Sequence, residues 1–243
     1  CPTACHARTM RRVLVTGAAS GIGAACADVL DRHGWETIRA DLADGHDVRH
    51  LDVTDEKSWE SLMADIGPLD GLITSAGIRT RNMIVDTSLE EWERHLRVNL
   101  TGTWLAIRSF LRAVPDRMPE TAPHHRSIVT IASVNATIAV PGQAHYVASK
   151  GAIVSLTRAA ALEGAPMGIR ANAIAPGPIR TPMAEERLSD PEQLKWLSGR
   201  VPLGRVGEPK EIGELAEFLL SDRSSYISGE VIFADGGWAA NAV

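Results

Sequence analysis

The sequence predicts an α/β fold in which a doubly wound parallel sheet forms a single domain. The chain has 243 residues, enough for one large core and within the size range of single α/β domains. Short β-branched or apolar runs alternate with longer segments of helical spacing, the pattern of a parallel sheet covered on both faces. No internal repeat, low-complexity tract or linker divides the sequence, so one domain is expected.

Strands are expected where short β-branched or apolar runs occur, because buried strands of a parallel sheet have this composition. A short strand is also expected near residues 48–51. The six clearer runs are 13–16, 37–40, 71–74, 127–133, 169–175 and 231–234.

Helices are expected between these runs, at 22–32, 56–66, 89–114, 144–162 and 209–220. Two connections break the rhythm. Segment 41–52 is short and rich in Gly, Asp and His, which predicts a loop or single turn in place of a crossover helix. Segment 181–202 contains prolines and an apolar face, and we expect a loop that forms a lid over a site.

Bulk properties exclude several classes of function. The formal charge is -5 with both signs interspersed, so no basic stripe predicts a nucleic-acid partner. The sequence has no run of eighteen apolar residues, so no membrane span is predicted and a water-soluble protein is expected. The expected partner is a small molecule. Cys1, Cys5 and Cys26 lack zinc-site spacing, which predicts no metal and reduced thiols of a cytoplasmic protein. Residues 1–9, before Met10, are interpreted as a disordered leader or as residues added for expression.

A glycine-rich turn follows the first predicted strand. Residues 16–23 read T-G-A-A-S-G-I-G and run directly into a helical pattern. Glycines let the backbone approach a pyrophosphate, and the following helix presents free N–H groups. The turn therefore predicts a dinucleotide site, with a simple tight connection as the alternative.

Asp41 ends the second predicted strand, where a carboxylate can accept both hydroxyls of an adenosine ribose. A 2′-phosphate would meet a like charge there, and Ser20 in the loop is neutral, so NAD is favoured over NADP. Arg39 is the contrary observation, although it lies further from the ribose end of the strand. Asp52 is placed to meet the adenine amino group, with a turn cap before Thr54 as an equally common use.

Tyr146 and Lys150 are four residues apart in a predicted helix and therefore share a face. Tyrosine titrates near pH 10, so a tyrosine that exchanges protons near neutrality needs a nearby positive charge. Ser133 ends a strand where ligands meet a parallel sheet, and its hydroxyl could hold a reacting oxygen. Asn99 stands inside a helical pattern that it does not favour, which suggests a polar role such as holding a water. A surface pair at 146 and 150 and a turn cap at 133 remain the structural alternatives.

Together these residues resemble the short-chain dehydrogenase/reductase family from Met10 onward. The family pattern T-G-x-x-x-G-x-G matches 16–23 and Y-x-x-x-K matches 146–150, while Ser133 and Asn99 match the strand-end serine and the helical asparagine. The resemblance implies a Rossmann-like fold and an NAD-dependent oxidoreductase that interconverts secondary alcohols and ketones.

The resemblance also implies roles for individual residues. Tyr146 is the general acid or base, Ser133 orients the substrate oxygen, Lys150 lowers the tyrosine pKa and binds the nicotinamide ribose, and Asn99 holds a water. The cofactor contacts that it implies are Gly17, Ser20, Gly21, Ile22, Gly23, Asp41, Asp52, Val53, Ala76, Gly77, Tyr146, Lys150, Pro176, Gly177, Ile179 and Thr181.

One departure from the family stands out, since Thr74 and Ser75 replace its usual Asn-Asn. The missing amides normally brace the sheet and the adenosine ribose, so stability or cofactor affinity is expected to differ. The family's C-terminal turn matches 235–237. The resemblance further implies a homotetramer, supported by the apolar helix at 153–162 and by the run at 238–240.

Substrate contacts are expected from residues around the tyrosine and from the lid. Arg79 and Arg81 could receive an acidic group, although solvated loop arginines are more common. A non-catalytic dinucleotide-binding regulator of the same fold is the alternative function, and a sugar-nucleotide epimerase or dehydratase would carry a longer C-terminal region. The remaining substrate candidates are Asn135, Gln143, His145 and Met183, with the lid at 183–197.

Overall fold

A computed structural model describes residues 10–43, 45, 47–114 and 126–241. The predicted leader, with Cys1 and Cys5, lies outside these residues. Within them, seven parallel strands form one sheet in the order β3-β2-β1-β4-β5-β6-β7. The strands are β1 Arg12–Thr16, β2 Glu36–Asp41, β3 Val48–His50, β4 Gly71–Thr74, β5 Arg126–Ile131, β6 Ile169–Pro176 and β7 Val231–Ala234.

Helices cover both faces of the sheet, which confirms the predicted single-domain, doubly wound α/β architecture. None of the helices in the described part of the chain is long and apolar enough to cross a membrane. The α-helices are α1 Gly21–Arg32, α2 Glu56–Ile66, α3 Leu89–His95, α4 Gly102–Arg112, α5 Ala144–Gly164, α6 Pro182–Leu188, α7 Pro191–Ser198 and α8 Pro209–Leu220.

Alternate side chains of the central strands feed two separate cores. Val13 and Val15 pack with the apolar faces of α1 and α8, whereas Leu14 packs on the opposite face with residues of α2 and α4. Successive strand side chains point to opposite faces, so a strand that is apolar at every position must be covered on both. This is why these strands appear in the sequence as unbroken apolar runs.

The helix predicted at 89–114 is interrupted. A π-helical turn, Leu96–Thr101, separates α3 from α4 and contains the buried Asn99. The Thr103 hydroxyl donates to the Asn99 backbone oxygen (2.7 Å), a bond that competes with the regular helical ladder. Asparagine's poor helix propensity marked the position, and the prediction of one regular helix was wrong only there, because helical backbone continues from Leu89 to Arg112.

The loop predicted at 181–202 is also wrong in part, because this segment forms α6 and α7. Pro182 and Pro191 each stand at the start of a helix, where the missing N–H of proline costs nothing. Asp190 caps α7 by accepting from the backbone N–H groups of Glu192 and Gln193. Both prolines therefore mark helix starts within a segment expected to be a loop. The predicted connection at 41–52 contains no helix in its described residues.

Candidate active site

A cleft of about 630 Å³ lies at the carboxyl ends of the strands, where the chain order reverses between β1 and β4. Ligands bind open parallel sheets at such a switch point. The cleft gathers the predicted catalytic, cofactor and substrate residues except Gly23, Asn99, His145 and Arg81. The predicted residues lining it are Gly17, Ser20, Gly21, Ile22, Asp41, Asp52, Val53, Ala76, Gly77, Ser133, Asn135, Gln143, Tyr146, Lys150, Pro176, Gly177, Ile179, Thr181 and Met183.

The glycine-rich turn brings its backbone close to the cleft at Gly17 and Gly21. Gly17 has a positive φ of 67°, and a Cβ atom there would lie 2.6 Å from the backbone nitrogen of Ala76. Gly23 lies behind the turn, where a Cβ atom would come 2.0 Å from the Gly17 oxygen. Gly23 therefore permits the packing of α1 against the turn, and the N-terminus of α1 at Gly21 opens onto the cleft.

Asp41 braces this turn from the end of β2. Its carboxylate accepts from the backbone N–H groups of Ala19 (2.9 Å) and Ala43 (3.0 Å). The guanidinium of Arg39 turns away and pairs with Asp28 and Asp31. Asp41 lines the cleft, whereas Asp28, Asp31 and Arg39 do not.

Asp52 shows the turn-capping use that the sequence left open. Its Oδ1 atom accepts from both the backbone N–H and the hydroxyl of Thr54, each at 2.8 Å. Asp52 also lines the cleft, so contact with an adenine stays a prediction.

Tyr146, Ser133 and Lys150 converge in the middle of the cleft. The Ser133 hydroxyl, just beyond β5, lies beside the phenol of Tyr146 and accepts from the backbone N–H of Asn135. The Lys150 ammonium lies 5.7 Å from the centre of the Tyr146 ring and donates to the Ile131 oxygen at 2.7 Å. Both side chains of α5 therefore point at the end of β5, as their helical spacing predicted.

Burial dominates the titration of this pair. It raises the pKa of Tyr146 above its usual 10, while the Ser133 hydrogen bond and the positive charge of Arg79 oppose that rise. Burial also lowers the pKa of Lys150 from 10.5 to about 8. The predicted lowering of the tyrosine pKa by Lys150 and an oxidised nicotinamide remains a prediction.

Asn99 does not line the cleft but connects its walls. Its Oδ1 atom accepts from the Ile78 N–H (2.8 Å), and its Nδ2 atom donates to the Ile78 oxygen (3.0 Å) and the Ser149 hydroxyl (3.1 Å). Ser149 in turn donates to the Tyr146 backbone oxygen at 2.8 Å. Ser149 was not among the predicted residues, although its place between Tyr146 and Lys150 on α5 could have marked it. The water predicted at Asn99 stays a prediction.

Thr74 and Ser75, the departure from the family pattern, lie beside the glycine-rich turn. The Thr16 hydroxyl accepts from the backbone N–H groups of Ser75 (3.2 Å) and Ala76 (3.4 Å). The buried Thr74 hydroxyl makes no hydrogen bond within the residues that the structure describes. Thr16 thus braces the loop, while Thr74 contributes an unsatisfied polar atom.

Two turns pack against each other beside the cleft. A Cβ atom on Gly177 would lie 2.7 Å from Cα of Asp235, so Pro176-Gly177 and the C-terminal turn pack in direct contact. The Asp235 carboxylate fixes that turn by accepting from the N–H groups of Gly237 (2.8 Å) and Ala239 (2.7 Å). Thr181 occupies the N-cap position of α6, where its side chain makes no capping hydrogen bond, and it lines the cleft.

Two of the substrate candidates hold each other. The Asn135 amide donates to the Gln143 side-chain oxygen at 2.8 Å, and both are buried. Met183 is 46% exposed and lines the cleft. His145 was a wrong candidate for substrate contact, because it is fully buried behind Tyr146 and does not line the cleft.

His145 belongs to a hydrogen-bond network that the sequence did not predict. Its Nε2 atom lies 2.9 Å from the Thr80 hydroxyl, which donates to the Glu91 carboxylate, while His95 accepts from the Thr80 backbone N–H (3.2 Å). The ligand atoms of Glu91, His95 and His145 lie within 4.8 Å of one another. The Thr80 hydroxyl contacts all three side chains, so hydrogen bonding accounts for this arrangement.

Residues 17–239 match a family model described as enoyl-(acyl carrier protein) reductase. A cyclopentanol dehydrogenase of Comamonas testosteroni is 36% identical over 94% of this chain and 97% of its own length. A 2,5-dichloro-2,5-cyclohexadiene-1,4-diol dehydrogenase of Sphingobium indicum is 34% identical over 95% and 97%. A solved gluconate 5-dehydrogenase of Burkholderia cenocepacia, in complex with NADP and tartrate, superimposes with a TM-score of 0.85 at 30% identity, covering 96% of each chain.

Proposed function

Since this chain belongs to the short-chain dehydrogenase/reductase family of oxidoreductases acting on alcohols, we propose that it interconverts a secondary alcohol and a ketone with NAD. The observation that carries the proposal is the convergence of Tyr146, Ser133 and Lys150 on one cleft behind the glycine-rich turn. A regulator that only binds the dinucleotide would have no use for a buried phenol aligned with a serine hydroxyl.

The turn fits a dinucleotide. Gly17 has no room for a side chain, and the first N–H groups of α1 open onto the cleft, so a pyrophosphate can approach the backbone. The Lys150 ammonium would lie 3.8 Å from a Cβ atom on Gly77, and we expect it to bond the nicotinamide ribose. Thr181 is placed to meet the carboxamide. The bound nicotinamide supplies the hydride acceptor or donor.

The chain's own residues supply position and proton. Tyr146 transfers the proton to or from the substrate oxygen, and Ser133, beside the phenol, orients that oxygen. A positioned proton donor or acceptor of this kind contributes about 10²- to 10⁴-fold in rate. Asn99 holds α5 to the loop after β4 through Ser149 and Ile78, which keeps the phenol in place.

NAD is preferred over NADP because Asp41 presents a carboxylate at the adenosine end. Arg39, the basic side chain that counts against a preference for NAD, is paired with Asp28 and Asp31. The comparison with an NADP-bound relative makes the cofactor the part of the proposal to test first.

The proposal is tested by initial rates with NAD and NADP in parallel across cyclic, linear and hydroxylated secondary alcohols, on wild type and Asp41→Asn. We expect turnover with NAD and a fall of about tenfold in the NAD-to-NADP preference of the variant, equivalent to about 1.4 kcal/mol. NADH binding, followed by its fluorescence, without turnover of any alcohol or ketone would instead support a non-catalytic regulator. Equal rates with NADP in the wild type would contradict the NAD assignment.

A further inference from the structure

The end of the cleft beside Tyr146 is positively charged. Arg79, which follows β4, and Arg187, in α6, both line it. The two carboxylates that line the cleft, Asp41 and Asp52, follow β2 and β3, on the other side of β1 in the sheet. Arg94 and Arg97 line the cleft as well, so its four arginines outnumber its two carboxylates.

Arg79 is held against the lid. Its Nη2 atom donates to the Met183 backbone oxygen at 2.8 Å, which leaves the other guanidinium donors for the cleft. Burial lowers the pKa of Arg79, and its charge interacts with the phenol of Tyr146. A group bound to this guanidinium therefore lies close to the reacting end of a substrate.

Arg187 is fixed by packing from α7. Its Nε atom donates to the Gln193 side chain (3.2 Å), and its guanidinium lies 4.8 Å from the centre of the Trp196 ring, which also receives Arg200 at 4.2 Å. Burial and the charges of neighbouring arginines lower the pKa of Arg187. Within the described residues, neither Arg79 nor Arg187 pairs with a carboxylate.

Clustered, half-buried guanidinium groups repel one another, and an anion between them removes that repulsion. Arginine is also the side chain best suited to carboxylates and phosphates, because its planar fork makes two parallel hydrogen bonds. We propose that the alcohol or ketone substrate carries an oxyanion, a carboxylate or a phosphate, that binds between Arg79 and Arg187. This inference rests on the proposed function and specifies its substrate class.

The test compares matched anionic and neutral secondary alcohols. One pair is 3-hydroxybutyrate and its methyl ester, and the other is 2-hydroxypropyl phosphate and 1,2-propanediol, so the pairs distinguish carboxylate from phosphate. The wild type is expected to prefer one anionic member by tenfold or more in kcat/KM. Arg79→Gln and Arg187→Gln are each expected to reduce that preference at least tenfold, chiefly through KM. Arg112→Gln, at an exposed position on α4, is the matched control and should leave it unchanged.

Calorimetry gives a second readout that does not need turnover. The wild-type enzyme with NADH should bind 3-hydroxybutyrate or inorganic phosphate more tightly than Arg79→Gln does. Failure to bind either anion overturns the proposal, and so does equal or better turnover of the neutral alcohols, which would leave the dehydrogenase assignment intact. Loss of NADH affinity in Arg79→Gln would assign this arginine to the cofactor and overturn the proposal as well. Anion binding without turnover of any alcohol would support the anion site while contradicting the proposed function.

Discussion

The ammonium of Lys150 is buried, and burying its charge should lower the free energy of unfolding. Its pKa is lowered from 10.5 to about 8 by burial. Between these values the unfolded chain keeps a proton that the folded state has released, so the free energy of unfolding rises with pH across this window. Below pH 8 both states are protonated and the full penalty is present.

Lys150→Met should therefore abolish one component of the pH dependence of stability. Urea unfolding of wild type and variant without cofactor, between about pH 7.5 and 10, should show the wild type gaining up to about 3 kcal/mol relative to the variant. Cys26, whose pKa burial raises to about 12, acts in the opposite sense in both proteins and cancels in the difference. Parallel pH profiles of the two proteins would contradict the lowered pKa.

Thr74, one of the two departures from the family pattern, offers a stabilising substitution. Its buried hydroxyl has no hydrogen-bond partner among the described residues, so Thr74→Val keeps the shape and removes an unsatisfied polar atom. We expect the free energy of unfolding to rise by about 1 kcal/mol.

Thr130→Val is the matched control, because that hydroxyl is buried and bonded to Thr157 at 2.7 Å. It should lose about 1 kcal/mol in the same urea titration. If both variants shift in the same direction, the Thr74 hydroxyl is not unsatisfied.

Helices α1 and α8 pack against each other at a glycine. A Cβ atom on Gly213 would lie 2.7 Å from the Val29 side chain and 2.8 Å from the Ala25 backbone oxygen, so Gly213→Ala must separate the helices. We expect a loss of about 1–3 kcal/mol by thermal or urea unfolding.

Gly151→Ala is the comparison within another helix. A Cβ atom there meets only the Ala136 oxygen, at 3.8 Å, so the higher helix propensity of alanine should add up to about 1 kcal/mol. A Gly213→Ala protein as stable as wild type would mean that the helix pair tolerates a wider separation than its geometry indicates.

Elements were predictable where local pattern and tertiary burial agree. The apolar run 13–15 of β1 is fully buried, so composition alone located the strand. The π-helical turn was not predicted because it depends on the contact of Asn99 with Ile78. Helices α6 and α7 were not predicted because a proline can either end a helix or begin one.

At the scale of the whole molecule, motif residues were predictable and their neighbours were not. The four-residue spacing of Tyr146 and Lys150 within one helix was enough to identify them. The juxtaposition of Arg79 with Arg187, or of Thr80 with His145, arises only when distant segments meet in the folded chain. Sequence therefore located Tyr146 and Lys150 and named Arg79 as a candidate contact for an acidic group, whereas the position of Arg187 in the same cleft required the structure.

The predicted homotetramer requires exposed apolar side chains that partner subunits would cover. Trp104 on α4 and Leu162 on α5 are 41% and 78% exposed on helices that contact each other, which is unusual for large apolar side chains unless a partner covers them. Light scattering at micromolar concentration should give about four times the mass of the chain, and Leu162→Glu should lower it. A monomeric wild type would contradict the prediction.

The most direct test of the whole account is the rate of NADH formation by Tyr146→Phe on the best alcohol found for the wild type. Tyr226→Phe, at the other tyrosine and fully exposed, is the control. We predict a fall in kcat of about 10²- to 10⁴-fold for Tyr146→Phe, with NADH binding retained and Tyr226→Phe unchanged. Undiminished kcat in Tyr146→Phe, with NADH still bound, would contradict the assignment of this phenol as the proton-transfer group.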